Sequence, residues 1–155
     1  MLFRSFLVAC AAAKTPLCII RPCAVYGAGD THNSYGPNRF FRTALKDGRI
    51  SLFGNGEEQR DHIHVHDLSR LVALCLSRRT EGALNAATGQ AVPFLEVAQS
   101  IAGLCPRPVE IIRQPRAPGA VITHRHTDVS LLRREFPEFQ CRPLTQGLTE
   151  LGREL

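Results

Sequence analysis

Tryptophan is absent from the 155 residues, methionine occurs only at position 1, and lysine only at positions 14 and 46. Aromatic residues make up 6% of the chain. So few aromatics leave little to stack bases on, and the basic residues are scattered from Arg4 to Arg153 with no stripe to track a phosphate backbone. Nucleic acid is therefore not an expected partner. No apolar run approaches the roughly 18 residues of a membrane-spanning helix, so no membrane partner is expected either. Leu7-Val8-Ala9-Cys10 has the form of a lipoprotein cleavage box. The apolar stretch before that cysteine begins only at Phe6, well short of the roughly 7 to 15 residues a secretory core needs. The cysteines at 10, 18, 23, 75, 105 and 141 form no CxxC, and several sit inside apolar runs such as Leu17-Cys18-Ile19-Ile20. They read as buried, reduced thiols, which points to a reducing, cytoplasmic setting.

What is present is a chain 44% hydrophobic and 21% charged, with a net charge of +5 and only two lysines among 19 basic residues. That composition is that of one soluble globular unit. Its length excludes a complete nucleotide-binding domain beside a separate substrate domain, each of which takes on the order of 100 residues. Arginine offers a planar fork of donors that matches phosphate oxygens, so a small phosphorylated ligand suits the charge better than a polymer.

Strand and helix signals alternate along the chain. An Ala-rich helix should run from Phe3 to Lys14 and stop before Thr15-Pro16, followed by a fully apolar strand over Leu17 to Ile20. Val25 to Pro37 is a turn-rich loop, and Asn38 to Asp47 a helix closed by Gly48. Ile50 to Phe53 and His62 to Val65 read as strands around the Gly54-Asn55-Gly56 turn. Asp67 should then cap a helix that buries Leu68, Leu71, Val72, Cys75 and Leu76 on one face. Ala83 to Ala86 and Val109 to Ile112 are further strands. Pro93 opens a helix through Phe94, Val97, Ala98 and Ile101. Asp128 caps a short helix, and Leu144, Leu148, Leu151 and Leu155 line a closing one. The pattern predicts an α/β or α+β unit.

Several short motifs in order carry a family pattern: Ile20-Arg21-Pro22 before Val25-Tyr26-Gly27-Ala28-Gly29; Leu52-Phe53-Gly54-Asn55-Gly56 before Gln59-Arg60-Asp61; and Val65 to Leu68 leading into an apolar helix. With Leu84-Asn85, Pro118-Gly119-Ala120-Val121 and Thr127-Asp128-Val129-Ser130, the chain resembles the C-terminal half of an extended short-chain dehydrogenase/reductase of the NAD-dependent epimerase/dehydratase type. The resemblance implies the C-terminal part of a Rossmann-type parallel sheet plus the small α/β substrate-binding subdomain. Residues 1–29 would be the tail of the Rossmann part and 30–155 mainly the substrate-binding region. It also implies a nucleotide-sugar substrate and NAD or NADP as hydride carrier.

Two motifs of that family are missing. Gly54-Asn55-Gly56 lacks a third glycine and a following helix, so no phosphate-cradling loop is present. The family's catalytic pair is Tyr with Lys four residues later, yet the residues four before Lys14 and Lys46 are Cys10 and Arg42. No catalytic residue is assigned, and the chain alone is expected not to turn over substrate. A separately encoded N-terminal half is an expected partner. Without it, apolar surface and open sheet edges should favour self-association.

For the substrate, the resemblance implies Arg60 on the diphosphate and Phe53 at the nucleobase. Asn38 and Arg39, at a helix N-terminus, could face a ligand anion. Arg125, or Arg116 in Arg116-Ala117-Pro118-Gly119-Ala120, would supply a second diphosphate contact, although the family's arginine is displaced by one there and its acid replaced. Pro22, Cys23 and Val25 resemble the segment that passes the nicotinamide ring, with Ala24 among them. A rival reading places His62, His64 and His66 on one face of a strand, as in a metal-binding module or metal-dependent hydrolase. Alternation of polar residues toward solvent explains the same spacing, and no metal ligand is assigned. His124 and His126 form a second alternating pair.

Overall fold

The computed structural model describes residues 2–33 and 35–155, with side chains from Arg4 onward. In chain order the elements are α1 (Leu2–Ala12), β1 (Cys18–Pro22), β2 (Ala24–Tyr26), α2 (Pro37–Asp47), β3 (Arg49–Phe53), β4 (Gln59–His64), α3 (Val65–Ser77), β5 (Gly82–Ala86), β6 (Ala91–Pro93), α4 (Phe94–Leu104), β7 (Glu110–Gln114), α5 (Ser130–Glu135) and α6 (Leu144–Glu154). The chain is thus mixed α/β. β1 pairs with β5, β2 with β4 and β3 with β7, all parallel, while β6 runs antiparallel to β4. Parallel neighbours need a crossover between them, and the helices supply it.

Two apolar cores flank these ribbons. Phe40, Phe41, Ile50, Leu52, Val97, Ile101, Leu148 and Leu151 form one, where α2, α4 and α6 close over β3. Ile63, Leu71, Cys75, Leu84, Leu132 and Phe136 form the other, where α3 and α5 cover β4 and β5. β4 contributes to both, because residues alternate across a strand: His62 and His64 face the first core and Ile63 the second.

Several local expectations change. β4 ends at His64, one residue early, and His66 lies inside α3. The N-cap is His64, whose Nδ1 accepts from the His66 N–H at 3.2 Å, and Asp67 is the third helical residue. On α3 the stripe is only partly buried. Leu71 and Cys75 are inside, whereas Val72 is 37% and Leu76 74% exposed. β1 is half-buried rather than sealed, because β5 is its only partner among the described residues. α2 starts at Pro37 behind Gly36, so Asn38 is not its cap. Pro93 is likewise the residue before α4, ending β6, a short strand that the sequence pattern does not suggest. α1 ends at Ala12, two residues before the expected Lys14: Lys14 adopts φ 51° and the Thr15 N–H reaches the Cys10 carbonyl at 2.9 Å, the closure of a Schellman motif.

Candidate functional site

A cleft of about 850 Å³ opens where the C-terminal ends of β1 and β2, the start of α2 and the outer part of β4 converge. Pro22, Cys23 and Val25 form one wall, Gly36 to Asn38 a second, and Arg60 to His62 a third. His124 to Thr127, from the loop after β7, close the mouth.

The wall beside α2 depends on Asn38. Its carboxamide is buried and donates to the Gly27 carbonyl at 2.7 Å while accepting the Gly27 N–H at 3.2 Å. Gly27 has φ 148°, and a Cβ there would run into the Val65 side chain. Asn38 therefore staples the β2 turn onto α2, and its polar atoms are used within the chain. Tyr35 sits one residue before Gly36 and packs edge-on against Phe40, 5.0 Å between ring centres. This is a hydrophobic staple between the residue before the cap and the fourth helical residue, and it fixes the angle at which the loop enters α2.

Asp61 anchors the opposite side. Its buried carboxylate accepts from the Thr88 N–H at 3.1 Å, the Thr88 hydroxyl at 2.7 Å, the Gly89 N–H at 2.8 Å and, more weakly, the Cys23 thiol at 3.5 Å. Burial, reinforced by the Asp61 charge, pushes the Cys23 thiol above its ordinary range. Cys23 is a protonated wall residue with no nucleophilic character.

At the mouth, Arg60 donates to its neighbour's carbonyl at Gln59 (2.9 Å) and to the Thr123 carbonyl and hydroxyl oxygens. It lies 3.5 Å from Glu58 and over the Phe94 ring, 5.8 Å from its centre. The backbone N–H of Arg125 donates to the Gln59 carbonyl at 3.0 Å, so Arg125 stands beside Arg60 as if on a short extra parallel strand. The Arg125 side chain is exposed and forms no hydrogen bond or ion pair among the described residues. Two guanidinium groups, one held and one free, thus border the same opening. His124 and His126, with ring centres 6.5 Å apart, flank Arg125.

Of the residues singled out from sequence, Pro22, Cys23, Val25, Asn38, Arg60 and Arg125 meet in this cleft. Arg39 is exposed on the far side of α2, in a surface depression with Thr43 and Asp47. Phe53 is 42% exposed at the end of β3, its ring 5.3 Å from Tyr35, so it stands behind the cleft wall. Arg116 turns to Glu58 at 3.2 Å and Glu57 at 3.5 Å and is spent there. Tyr35 and Phe94 line the cleft without having been anticipated. For Tyr35 the signal was the aromatic pair at positions 35 and 40 around a glycine cap.

The three histidines do not share one face. His62 points into the cleft, while His64 and His66 group with Glu150 of α6, their ligand atoms within 4.8 Å of one another. His64 Nδ1 is already an acceptor for the helix cap, and Glu150 is held by Arg142 and by Gln146 at 2.9 Å. Burial and the Arg142 charge depress the His64 pKa, and a second cation beside that arginine would be opposed in the same way.

For the dinucleotide, the fit is partial. Pro22, Cys23 and Val25 present a wall of suitable breadth, but Gly27 is packed against Val65, and no glycine turn among the described residues leads from a buried strand into an open helix N-terminus that could cradle a pyrophosphate.

The model of the NAD dependent epimerase/dehydratase family matches residues 1–87. The chain belongs to that family. It is 30% identical over 145 residues to a dTDP-4-dehydro-6-deoxy-D-allose reductase of Streptomyces bikiniensis, an alignment covering 90% of this chain and 43% of the relative. It is 34% identical over 96 residues to a dTDP-L-rhamnose 4-epimerase of Burkholderia thailandensis, covering 59% of this chain and 26% of that one. Among solved structures it resembles the UDP-N-acetylglucosamine 4-epimerase of Methanobrevibacter ruminantium M1 in complex with UDP-N-acetylmuramic acid, with a TM-score of 0.82, 19% identity, and coverage of 96% of this chain and 49% of that one. It also resembles MoeE5 in complex with UDP-glucose and NAD, with a TM-score of 0.75, 27% identity, and coverage of 91% and 47%. The fold is therefore the mixed α/β, Rossmann-like architecture of these proteins, and the chain spans about 43% of the length of the first curated relative.

Proposed function

We propose that this chain is the substrate-binding half of a nucleotide-sugar epimerase, dehydratase or reductase, with residues 1–29 completing a dinucleotide-binding part and 30–155 holding the sugar nucleotide. The observation that carries this is the bridge that sets Arg60 and Arg125 side by side at the mouth of the cleft. Two forked cations at one opening suit a diphosphate, whose charge is divided over two groups. The names of the relatives, which act on dTDP-linked sugars, support the same class of ligand.

Hydride transfer needs NAD or NADP, of which this chain would touch only the nicotinamide end, through Pro22, Cys23 and Val25. Proton transfer in the family uses a Tyr–Lys pair at a spacing not found here. Residues 1–155 are therefore proposed to bind without turning over by themselves, the rest of the chemistry coming from residues outside them. Reduced cysteines, none of them paired, fit a cytoplasmic setting, and no helix among the described residues is long and apolar enough to cross a membrane.

Thermal unfolding with UDP, dTDP and their sugar conjugates tests the assignment. Saturating ligand should raise the Tm of the chain and raise that of the Arg60→Ala variant by clearly less. A second reading, a metal-binding module, is favoured only by the grouping of His64, His66 and Glu150. Near-stoichiometric zinc or iron in the purified chain, with no response to nucleotides, would replace the first reading by the second.

A further inference from the structure

His62 is 4% exposed and forms no side-chain hydrogen bond among the described residues. Its ring lies edge-on between Tyr26 and Phe94, with centres 6.4 and 5.8 Å away, so neither neighbour offers it a partner. Buried polar atoms in native proteins are almost always paired; the enclosed, unpartnered atom here is Nδ1, so a partner from the cleft can reach this ring only through its other nitrogen. The two nitrogens differ in setting. Nδ1 is fully enclosed and unpartnered, whereas Nε2 is on the side of Gly36, 3.9 Å from where a Cβ of that residue would stand, and Gly36 lines the cleft. Nε2 thus lies on the side of the ring that borders the cleft wall at Gly36.

The charge state completes the picture. Burial keeps this imidazole neutral, with its pKa pushed down to about 4, while the Arg60 backbone carbonyl favours a proton on the ring. A neutral imidazole has one N–H and one lone pair. With the proton on enclosed Nδ1, Nε2 presents an acceptor to the cleft.

Building on the nucleotide-sugar reading above, we infer that His62 is a substrate-recognition residue: Nε2 accepts a hydrogen bond from a hydroxyl of the bound sugar, one wall removed from the guanidinium groups that hold the diphosphate. The cleft then separates two tasks. Arg60 and Arg125 take the charge common to all nucleoside diphosphates, and His62 reads whether a hydroxyl donor is attached. A site built to hydrogen-bond a hydroxyl discriminates strongly against a ligand lacking it, since the buried acceptor then stays unpaired.

Calorimetric titration of the whole chain with UDP-glucose and with UDP tests this, using wild type, His62→Phe and His62→Gln, each checked for cooperative unfolding. Wild type should bind UDP-glucose more tightly than UDP. In His62→Phe the advantage should shrink about tenfold, with UDP affinity unchanged, and His62→Gln, which keeps an acceptor, should recover part of it. In wild type the 15N resonance of the unprotonated His62 nitrogen should move on addition of UDP-glucose and stay in place with UDP. An unchanged preference in His62→Phe, or a nitrogen that responds equally to both ligands, overturns the inference and leaves the nucleotide-binding reading standing. Wild type binding neither ligand overturns both.

Discussion

Arg60 and Thr123, sixty-three positions apart, are joined twice: the guanidinium on β4 donates to both the carbonyl and the hydroxyl oxygen of the loop residue. The loop from Pro115 to Thr127 has little regular structure of its own, and Ala117 to His126 are exposed. This side chain and the Arg125 N–H attach its later part to β4, while Arg116 ties its start to Glu57 and Glu58. The guanidinium proposed to hold the diphosphate is thus also the clasp of the loop that closes the cleft, and a diphosphate there would compete with Thr123 for the same donors.

Replacing Arg60 by Ala should therefore act in two places. Amide exchange across Val121 to Arg125 should quicken in the free protein, and nucleoside diphosphate affinity should fall about 10- to 100-fold, as expected for a lost charge-assisted hydrogen bond. Arg60→Lys should keep part of the affinity and little of the clasp, since an ammonium lacks the fork. Exchange unaffected by Arg60→Ala would show that the loop is held by something else.

Asn38 offers a stability test away from the ligand. Asn38→Ala strands the N–H and the carbonyl of Gly27 in a buried site, at a cost of about 2–4 kcal/mol, read as a lower urea midpoint with an unchanged slope. Asn38→Asp keeps the acceptor for the N–H but sets a carboxylate against the Gly27 carbonyl. It should be destabilised as well, and more so as pH rises and the new carboxyl ionises.

Much of the architecture was legible because apolar spacing reports directly on burial. The stripe of α4 and the existence of β1 and β5 as short strands follow from local pattern, whereas the pairing of those two strands does not. What failed was set by contacts between distant segments. Val72 and Leu76 fit a helical stripe, yet the described residues leave Leu76 mostly and Val72 partly uncovered. His66 continues a two-residue alternation that the backbone abandons at His64, because the His64 imidazole caps the helix one step early. In the site, Arg60 and Arg125 could be named from motifs, whereas Asn38 and Arg39, adjacent in sequence, point to opposite sides of α2. Only the helix phase, anchored by the Tyr35–Phe40 staple, decides which of them meets the cleft.

Gly147 shows a close approach that sequence does not announce. A Cβ at this position of α6 would overlap the Tyr26 hydroxyl, although the backbone there is ordinary helix. Gly147→Ala should gain helix propensity and still lose about 1–3 kcal/mol through overpacking. Removing the most obstructing atom should relieve part of the loss, the ring carbon still standing 2.9 Å from the added Cβ, so the Gly147→Ala/Tyr26→Phe double variant should melt above Gly147→Ala alone. Equal Tm values for the two would place the cost elsewhere.

The buried His62 imidazole makes stability depend on pH with a definite sign. Its pKa is about 4 in the folded chain against 6.5 when unfolded. Between these values the unfolded chain binds a proton that the folded chain refuses, so stability falls as pH is lowered from 6.5 to 4 and is unaffected by this group above 6.5. The full effect is of the order of 3 kcal/mol, from about 1.4 kcal/mol for each pH unit of the window. Denaturation midpoints followed from pH 7.5 to 4.5 should show the slope in wild type and a flatter profile in His62→Phe. Identical profiles would mean that the imidazole protonates in the folded state.

Self-association follows from what the described surface leaves uncovered. Val8 is 70%, Phe6 58% and Leu7 49% exposed on α1, Leu76 is 74% exposed on α3, and β1 keeps one edge without a strand. Covering a large apolar side chain is worth about 1.5–3 kcal/mol, so several together are enough to hold two surfaces in contact. Sedimentation velocity should show the chain associating as concentration rises. Charges placed on α1, in Phe6→Glu/Val8→Glu, should shift it toward monomer, because each would have to be desolvated unpaired to rebuild the contact. The same pair should also abolish capture of a dinucleotide-binding half by this helix, whereas a β1-edge contact would survive it, so the two surfaces can be told apart by whether the double variant still co-purifies with that partner.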